Sequence, residues 1–150
     1  MRAPFIDHVT LRVRDLDASR AFYERALETF GIRVLELDGE DGPEVSMGPE
    51  GSEDLVLAEA EGEGESSTPV HVAFLAHDPK TVDDFHAAAV EAGGRDNGAP
   101  GRRPHYHERY YAAYVLDPDG NNIEAVCHTG PSEKEEDPAR NEALQPEDPR

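Results

Sequence analysis

The sequence predicts an α+β fold made of two tandem βαβββ modules, over residues 5–60 and 69–128. Three observations lead there. An internal repeat comes first, because self-similarity decides an architecture before single elements do. A shift of 63 residues lays IDHVTLRVRDLDASRAFYERALETFG (Ile6 to Gly31) over PVHVAFLAHDPKTVDDFHAAAVEAGG (Pro69 to Gly94) without a gap. It pairs His8 with His71, Val9 with Val72, Asp15 with Asp78, Phe22 with Phe85, Ala26 with Ala89, Glu28 with Glu91 and Gly31 with Gly94. Each copy then passes from period-two to period-four apolar spacing, and the second ends in a strong hairpin signal.

Each copy opens with a strand. Val9, Leu11 and Val13 alternate with His8, Thr10, Arg12 and Arg14, and Val70, Val72 and Phe74 with His71, Ala73 and Leu75. Alternation of this kind gives a sheet with one apolar face, so both histidines point to the other face. A helix follows. Asp15 or Asp17 caps the first, and Phe22, Ala26 and Phe30 form its inner stripe. Asp78-Pro79 starts the second, with Val82, Phe85, Ala89 and Val90 as its stripe and Gly93-Gly94 as its end. These stripes are expected to lie on the Val9 and Val72 faces of the strands.

Three further strands complete each copy. In the first they are Ile32 to Leu37, Pro43 to Met47 and Asp54 to Ala58, separated by DGEDG and GPEGS. In the second, a short piece from Arg95 to Gly98 leads into a Pro/Gly/Arg-rich loop, followed by Tyr110 to Leu116 and Asn122 to His128. Asp117-Pro118-Asp119-Gly120 joins the last two as a tight hairpin. Residues 129–150, rich in proline and charge, read as a disordered or loosely docked tail.

Composition narrows the partners. Among 150 residues there are 33 Asp and Glu against 14 Lys and Arg, a net charge of −19. That repels nucleic-acid backbones and anionic membranes, so neither is an expected partner. Residues 36–65 hold 12 acids and no Lys or Arg, which reads as a solvated surface rather than a binding face. No apolar run reaches the roughly 18 residues that span a bilayer, and MRAPFIDHVT has no signal-peptide pattern, so a cytoplasmic location is expected. Cys127 is the single cysteine and reads as a small core residue. No glycine pattern leads into a helix to cradle a phosphate.

With two βαβββ copies, a His opening each, IDHVTLRVRDLDASRAFY in the first and YVLDPDGNNIEAV in the second, residues 5 to 128 resemble the vicinal oxygen chelate superfamily. That group contains glyoxalase I, fosfomycin-resistance enzymes, bleomycin-resistance proteins, methylmalonyl-CoA epimerase and extradiol dioxygenases. The resemblance implies a curved, barrel-like mixed sheet with helices outside, a homodimer, and a divalent ion (Zn, Mn, Ni or Fe(II)) in the cleft, sometimes shared between chains. It implies His8, His71 and Glu124 as the ligands. Chemistry agrees with that set. Two neutral imidazoles and one carboxylate leave coordination positions open for two adjacent substrate oxygens. A carboxylate on an inward strand face is costly unless it meets a cation. Glyoxalase I uses a second carboxylate on the closing strand of the first module. Val56 or Leu57 stands opposite Glu124 here, and Glu59 reaches only if the register slips. The sequence therefore resembles the three-ligand fosfomycin-resistance and dioxygenase branches more than methylglyoxal isomerases.

The loop GAPGRRPHYHERYY gathers Arg102, Arg103, His105, His107 and Arg109 beside Tyr106, Tyr110 and Tyr111. Arg103, His107 and Tyr111 are its expected substrate contacts, with Arg clamping a carboxylate or phosphonate and Tyr hydroxyls donating to substrate oxygens. His107 and Glu124 are the expected catalytic groups, His107 because imidazole titrates near neutrality. His105 reads as solvated, and His77 and His86 as structural. His128 lies on the Glu124 face about 13 Å along the strand, too far to share its ion. The first functional reading is a metal-dependent glyoxalase-like enzyme, of lyase, isomerase or thiol-transfer type, acting on a small substrate chelated through two adjacent oxygens. The alternatives are an Fe(II)-dependent extradiol-type dioxygenase and a metal-free protein that sequesters a drug or metabolite.

Overall fold

In the computed structural model, which describes residues 5–39, 42–62 and 64–136, the alternating apolar residues of β1 (Val9–Val13) join the core with the inner face of α1 (Leu16–Glu28). The open choice of cap resolves on Asp15, whose Oδ1 accepts the Ala18 N–H at 3.0 Å. Three strands follow, β2 (Arg33–Gly39), β3 (Gly42–Gly48) and β4 (Leu55–Glu59). The DGEDG turn between the first two falls at Glu40 and Asp41, outside the described residues. The second copy runs β5 (His71–Leu75), α2 (Pro79–Glu91), β6 (Arg95–Arg102), β7 (Tyr111–Leu116) and β8 (Asn122–Cys127). Asp78 caps α2 by accepting Thr81 N–H and Oγ1–H, both at 2.8 Å, and these bonds lower its carboxyl pKa.

Each copy forms one four-stranded mixed sheet, ordered β1-β4-β3-β2 and β5-β8-β7-β6. The outer pairs β1/β4 and β5/β8 are parallel and the rest antiparallel. The fold is α+β with two curved sheets that do not close into a single barrel, and β1 and β5 are edge strands. The two helices pack between the copies. Phe30, just beyond α1, sets its ring 6.0 Å from Phe85 of α2 and 6.2 Å from Phe74 of β5.

Four details differ from what periodicity predicts. Val90 is 39% exposed rather than part of the α2 stripe, which is Val82, Phe85 and Ala89. The glycine that shares Gly31's conformation (φ +76°) is Gly93 (φ +101°), not Gly94, so the second copy is one residue shorter after its helix. Gly94 instead lies where a Cβ would come within 2.5 Å of Val115 and 2.6 Å of Phe22. β6 extends to Arg102 through the supposed loop. It lies at a sheet edge and carries register shifts, the setting that tolerates Gly98, Pro100 and Gly101 in a strand.

The Asp117–Gly120 turn ties the copies together. Asp117 is 5% exposed and accepts the Asp119 and Asn121 N–H groups, the Asn121 amide and, at 2.5 Å, the Tyr23 hydroxyl of α1. Gly120 takes the positive φ (+86°) that closes the turn. Beyond β8, Ser132 is buried and a short α3 (Glu133–Glu136) docks through Arg109–Glu135 at 2.9 Å. The remainder of the expected tail, 137–150, lies outside the described residues.

Candidate functional site

Cross-strand register sets the site, because directly paired residues share a face. On the face of the second sheet turned away from α2, β5 contributes His71, Ala73 and Leu75, paired to Asn122, Glu124 and Val126 of β8, which pair in turn with Leu116, Tyr114 and Ala112 of β7. Glu124 stands in the middle of this face and is only 3% exposed. Both its oxygens are engaged: Oε2 lies 2.8 Å from His71 Nε2, and Oε1 accepts the Tyr110 hydroxyl at 2.5 Å. The His71 side chain is 52% exposed, so the pair is reached from solvent through the imidazole. Burial, then the bond to Glu124, raise the Tyr110 phenol far above its ordinary pKa, so it is a neutral donor at every working pH.

His8 is elsewhere. It lies just ahead of β1, 56% exposed, with Nδ1 2.8 Å from Asp7 Oδ2. Among the described residues no three His, Cys, Asp or Glu side chains of one chain converge on a point that could hold an ion. The structure therefore brings His71 and Glu124 together and leaves His8 apart. A cleft of about 620 Å³ between the edges of β1 and β5 is lined by Ile6, Asp7 and Thr10 on one side and by His71 on the other.

The first sheet has no second carboxylate at the matching place. Val9 pairs with Leu55 and Val72 with Ile123, so the counterpart of Glu124 is Val56. Glu59 is occupied at the start of α1, where its carboxylate accepts the Leu16 N–H at 3.2 Å.

The basic loop divides between two faces. Arg103 lies on the Glu124 face, its Cζ 5.5 Å from the centre of the Tyr114 ring, held by bonds to the Ala99 and Arg102 carbonyls. Arg102 and Arg109 turn to the docked tail and meet Glu136 at 3.6 Å and Glu135 at 2.9 Å. Tyr111 also points away from the site. Its hydroxyl donates to Asp83 of α2 at 2.7 Å, and burial, then that bond, raise its pKa to about 12. Strand alternation is the reason: in β7 the residues of even number face Glu124, so Tyr110 and Tyr114 stand where Tyr111 was expected.

His107 reaches the Glu124 side, with a partner that sequence reasoning set aside. Its Nε2 is 2.8 Å from His128 Nδ1, the rings stack 5.1 Å apart, and the Tyr110 ring meets both at 5.4 Å. The Arg109 N–H donates to His107 Nδ1 at 3.1 Å, so the neutral ring carries its proton on Nε2 and donates to His128. His128 is still not beside His71. The loop folding back brings His107 to it. His105 is exposed against Tyr106, and His86 pairs with Asp96 at 2.9 Å on the helix side.

The donor chemistry fits a divalent ion. Imidazole nitrogen and carboxylate oxygen are both ligands that a divalent ion accepts, and here His71 Nε2 and Glu124 Oε2 lie 2.8 Å apart, joined by a hydrogen bond. The Tyr110 bond orients the carboxylate as outer partners of metal ligands do.

A model of the Glyoxalase/Bleomycin resistance protein/Dioxygenase superfamily matches residues 5–125, and the chain belongs to that superfamily. A glyoxalase/bleomycin resistance protein from Albidiferax ferrireducens T118 is similar in structure, with a TM-score of 0.67 and 29% identity over 83% of this chain and 99% of that one. A V278E mutant of glyoxalase I from Zea mays is 30% identical with a TM-score of 0.61, covering 81% of this chain and 45% of its own. TnmS3, an antibiotic binding protein from Streptomyces sp. CB03234, shares the fold at 23% identity and a TM-score of 0.58, over 85% of this chain and 98% of that one. A search of curated proteins found no match.

Proposed function

We propose that the chain is a metal-dependent enzyme of this superfamily, a cytoplasmic homodimer in which His71 and Glu124 of one chain and His8 of the partner subunit hold a divalent ion. The observation that carries the reading is the His71–Glu124 pair: a carboxylate 3% exposed, bonded to a half-exposed imidazole, both of them ligand types a divalent ion accepts. The same geometry supports sharing across chains. One chain supplies two candidate ligands, His8 is exposed beside an edge strand, and β1 and β5 both lie at sheet edges.

A bound ion would supply Lewis-acid polarisation to two adjacent oxygens of a small substrate. The protein's own groups do the rest. Tyr110, neutral by burial, fixes the Glu124 carboxylate. Arg103 offers its free N–H donors to an anionic substituent. His107 and His128 form the acid–base pair at the rim: both ring nitrogens of His107 are engaged, so the Nε2 of His128 is the one left to exchange a proton with substrate. With Val56 in place of a second acid, the reading favours three-ligand chemistry of lyase, thiol-transfer or Fe(II) dioxygenase type over methylglyoxal isomerisation.

Elemental analysis tests this directly. Wild-type protein is expected to carry about one divalent ion per chain and His71→Ala much less. Equal metal content in the two would remove the reading. A metal-free binding protein is the second reading, favoured by the fact that Glu124 already has a partner at each oxygen. Under it, neither protein holds metal.

A further inference from the structure

We propose that the segment after β8 is a positioning device: Gly130 and Glu135 hold Arg109, and through it the His107–His128 pair, in the arrangement that leaves His128 Nε2 for substrate. The inference deepens the proposed function and rests on it for the acid–base role of the pair. The clamp itself stands on geometry that needs neither ion nor substrate.

The two histidines belong to two short segments that are stitched together two residues further on. His107 leads to Arg109 and His128 to Gly130. The Gly130 N–H donates to the Arg109 carbonyl at 3.0 Å, and the Arg109 guanidinium donates back to the Gly130 carbonyl, also at 3.0 Å. Only glycine suits this place, because a Cβ at residue 130 would come within 2.6 Å of Tyr111 Cβ and 3.0 Å of the Arg109 carbonyl oxygen. Reciprocal bonds so near both rings fix the spacing of the two segments that carry them.

Glu135 completes the hold. Its Oε2 accepts the Ser132 N–H at 2.7 Å and an Arg109 Nη1–H at 2.9 Å. The Ser132 bond, then the Arg109 bond, lower the Glu135 pKa to about 2, so the carboxylate is charged at any working pH. Ser132 is itself buried, which anchors the turn that carries Glu135. With its side chain held in this way, Arg109 presents its own N–H to His107 Nδ1 at 3.1 Å. That bond takes the one ring lone pair of neutral His107, whose Nε2–H then donates to His128 Nδ1 at 2.8 Å. Neutral His128 thereby keeps its own proton on Nε2, the nitrogen outside the pair. The loop has turns of its own, closed by Tyr106 N–H on the Arg103 carbonyl and Tyr110 N–H on the His107 carbonyl, so losing the clamp frees the rings without unfolding the loop.

Acylation by diethyl pyrocarbonate reads the hold directly, because the reagent attacks an imidazole through its unprotonated nitrogen. In the clamped pair each such nitrogen already accepts a hydrogen bond. At neutral pH, with modified sites located by peptide mass spectrometry, His107 and His128 are expected to react more slowly than His105, which is exposed on the same loop. Glu135→Gln should speed both about three- to tenfold relative to His105, the size of one lost hydrogen bond. Gly130→Ala should do the same. Glu136→Gln removes an equal charge one residue away, from the partner of Arg102, and should leave both rates as in wild type. His86, bonded to Asp96 at 2.9 Å on the helix side, reports general loosening and should not change in any variant. Wild-type rates equal to that of His105, a pair unmoved by Glu135→Gln or by Gly130→Ala, an equal response to Glu136→Gln, or an acceleration shared by His86 would each overturn the clamp. Metal content measured on the same samples separates this from the metal reading. A responsive pair in a wild type that holds no ion keeps the clamp and sinks the metal, and a metal-binding wild type with an unresponsive pair does the reverse.

Discussion

Tyr23 and Asp117 show how much one buried pair can hold. The Tyr23 ring is fully buried, and its hydroxyl carries the bond from the first copy to the hairpin of the second. Removing the hydroxyl leaves a buried carboxylate short of a donor, a loss of about 1–3 kcal/mol. Tyr23→Phe is therefore expected to unfold at lower urea with an unchanged slope, and an unchanged midpoint would contradict the assignment. The pH dependence has a definite sign. Burial, then the Asp117 charge, raise the Tyr23 phenol well above 10, so its contribution is complete below an unfolded value of about 10 and fades as pH rises beyond it. The difference between Tyr23→Phe and wild type should narrow only in strong alkali. At the same scale, Glu124 and His71 were legible because the repeat marked one and the burial of an acid marked the other. Tyr111 was misplaced because the loop was read as a cluster, without carrying the β7 alternation back to Tyr110.

At the level of elements, glycine chemistry decides two junctions. After α2, Gly93 adopts the positive φ, and Gly94 brings the chain against Val115 and Phe22. Gly94→Ala forces a methyl into that contact and into the Ala89 carbonyl, 2.8 Å away. Overpacking of this kind costs about 1–3 kcal/mol. Gly31→Ala loses instead by backbone strain, since nothing lies within 4 Å of its Cβ position. Thermal melting should show both lower than wild type, and a Gly94→Ala protein as stable as wild type would contradict the packing described. Period-two and period-four patterns foretold α1, α2 and most strands, but not the short α3 in the segment read as a tail. They could not foretell β6, because Gly98, Pro100 and Gly101 oppose strand formation everywhere except at a bulged edge. Nor could they foretell the His107–His128 contact, which depends on how residues 103–110 fold back over the sheet.

For the whole molecule, β1 and β5 at sheet edges and a proposed site with two of its three ligands in one chain pose one question: whether a second copy completes the centre. The sequence placed one histidine on each opening strand, which is local information. In the proposed shared centre, where His8 goes is set by association, which no periodicity encodes. The decisive measurement combines His8→Ala and Glu124→Gln chains carrying different tags, purifies the mixed dimer and counts divalent ions. In a shared centre, His8 of the second variant meets His71 and Glu124 of the first, so the mixed dimer is predicted to hold one ion while each variant alone holds almost none. A mixed dimer as empty as its parents, beside a wild type that binds metal, would contradict the account.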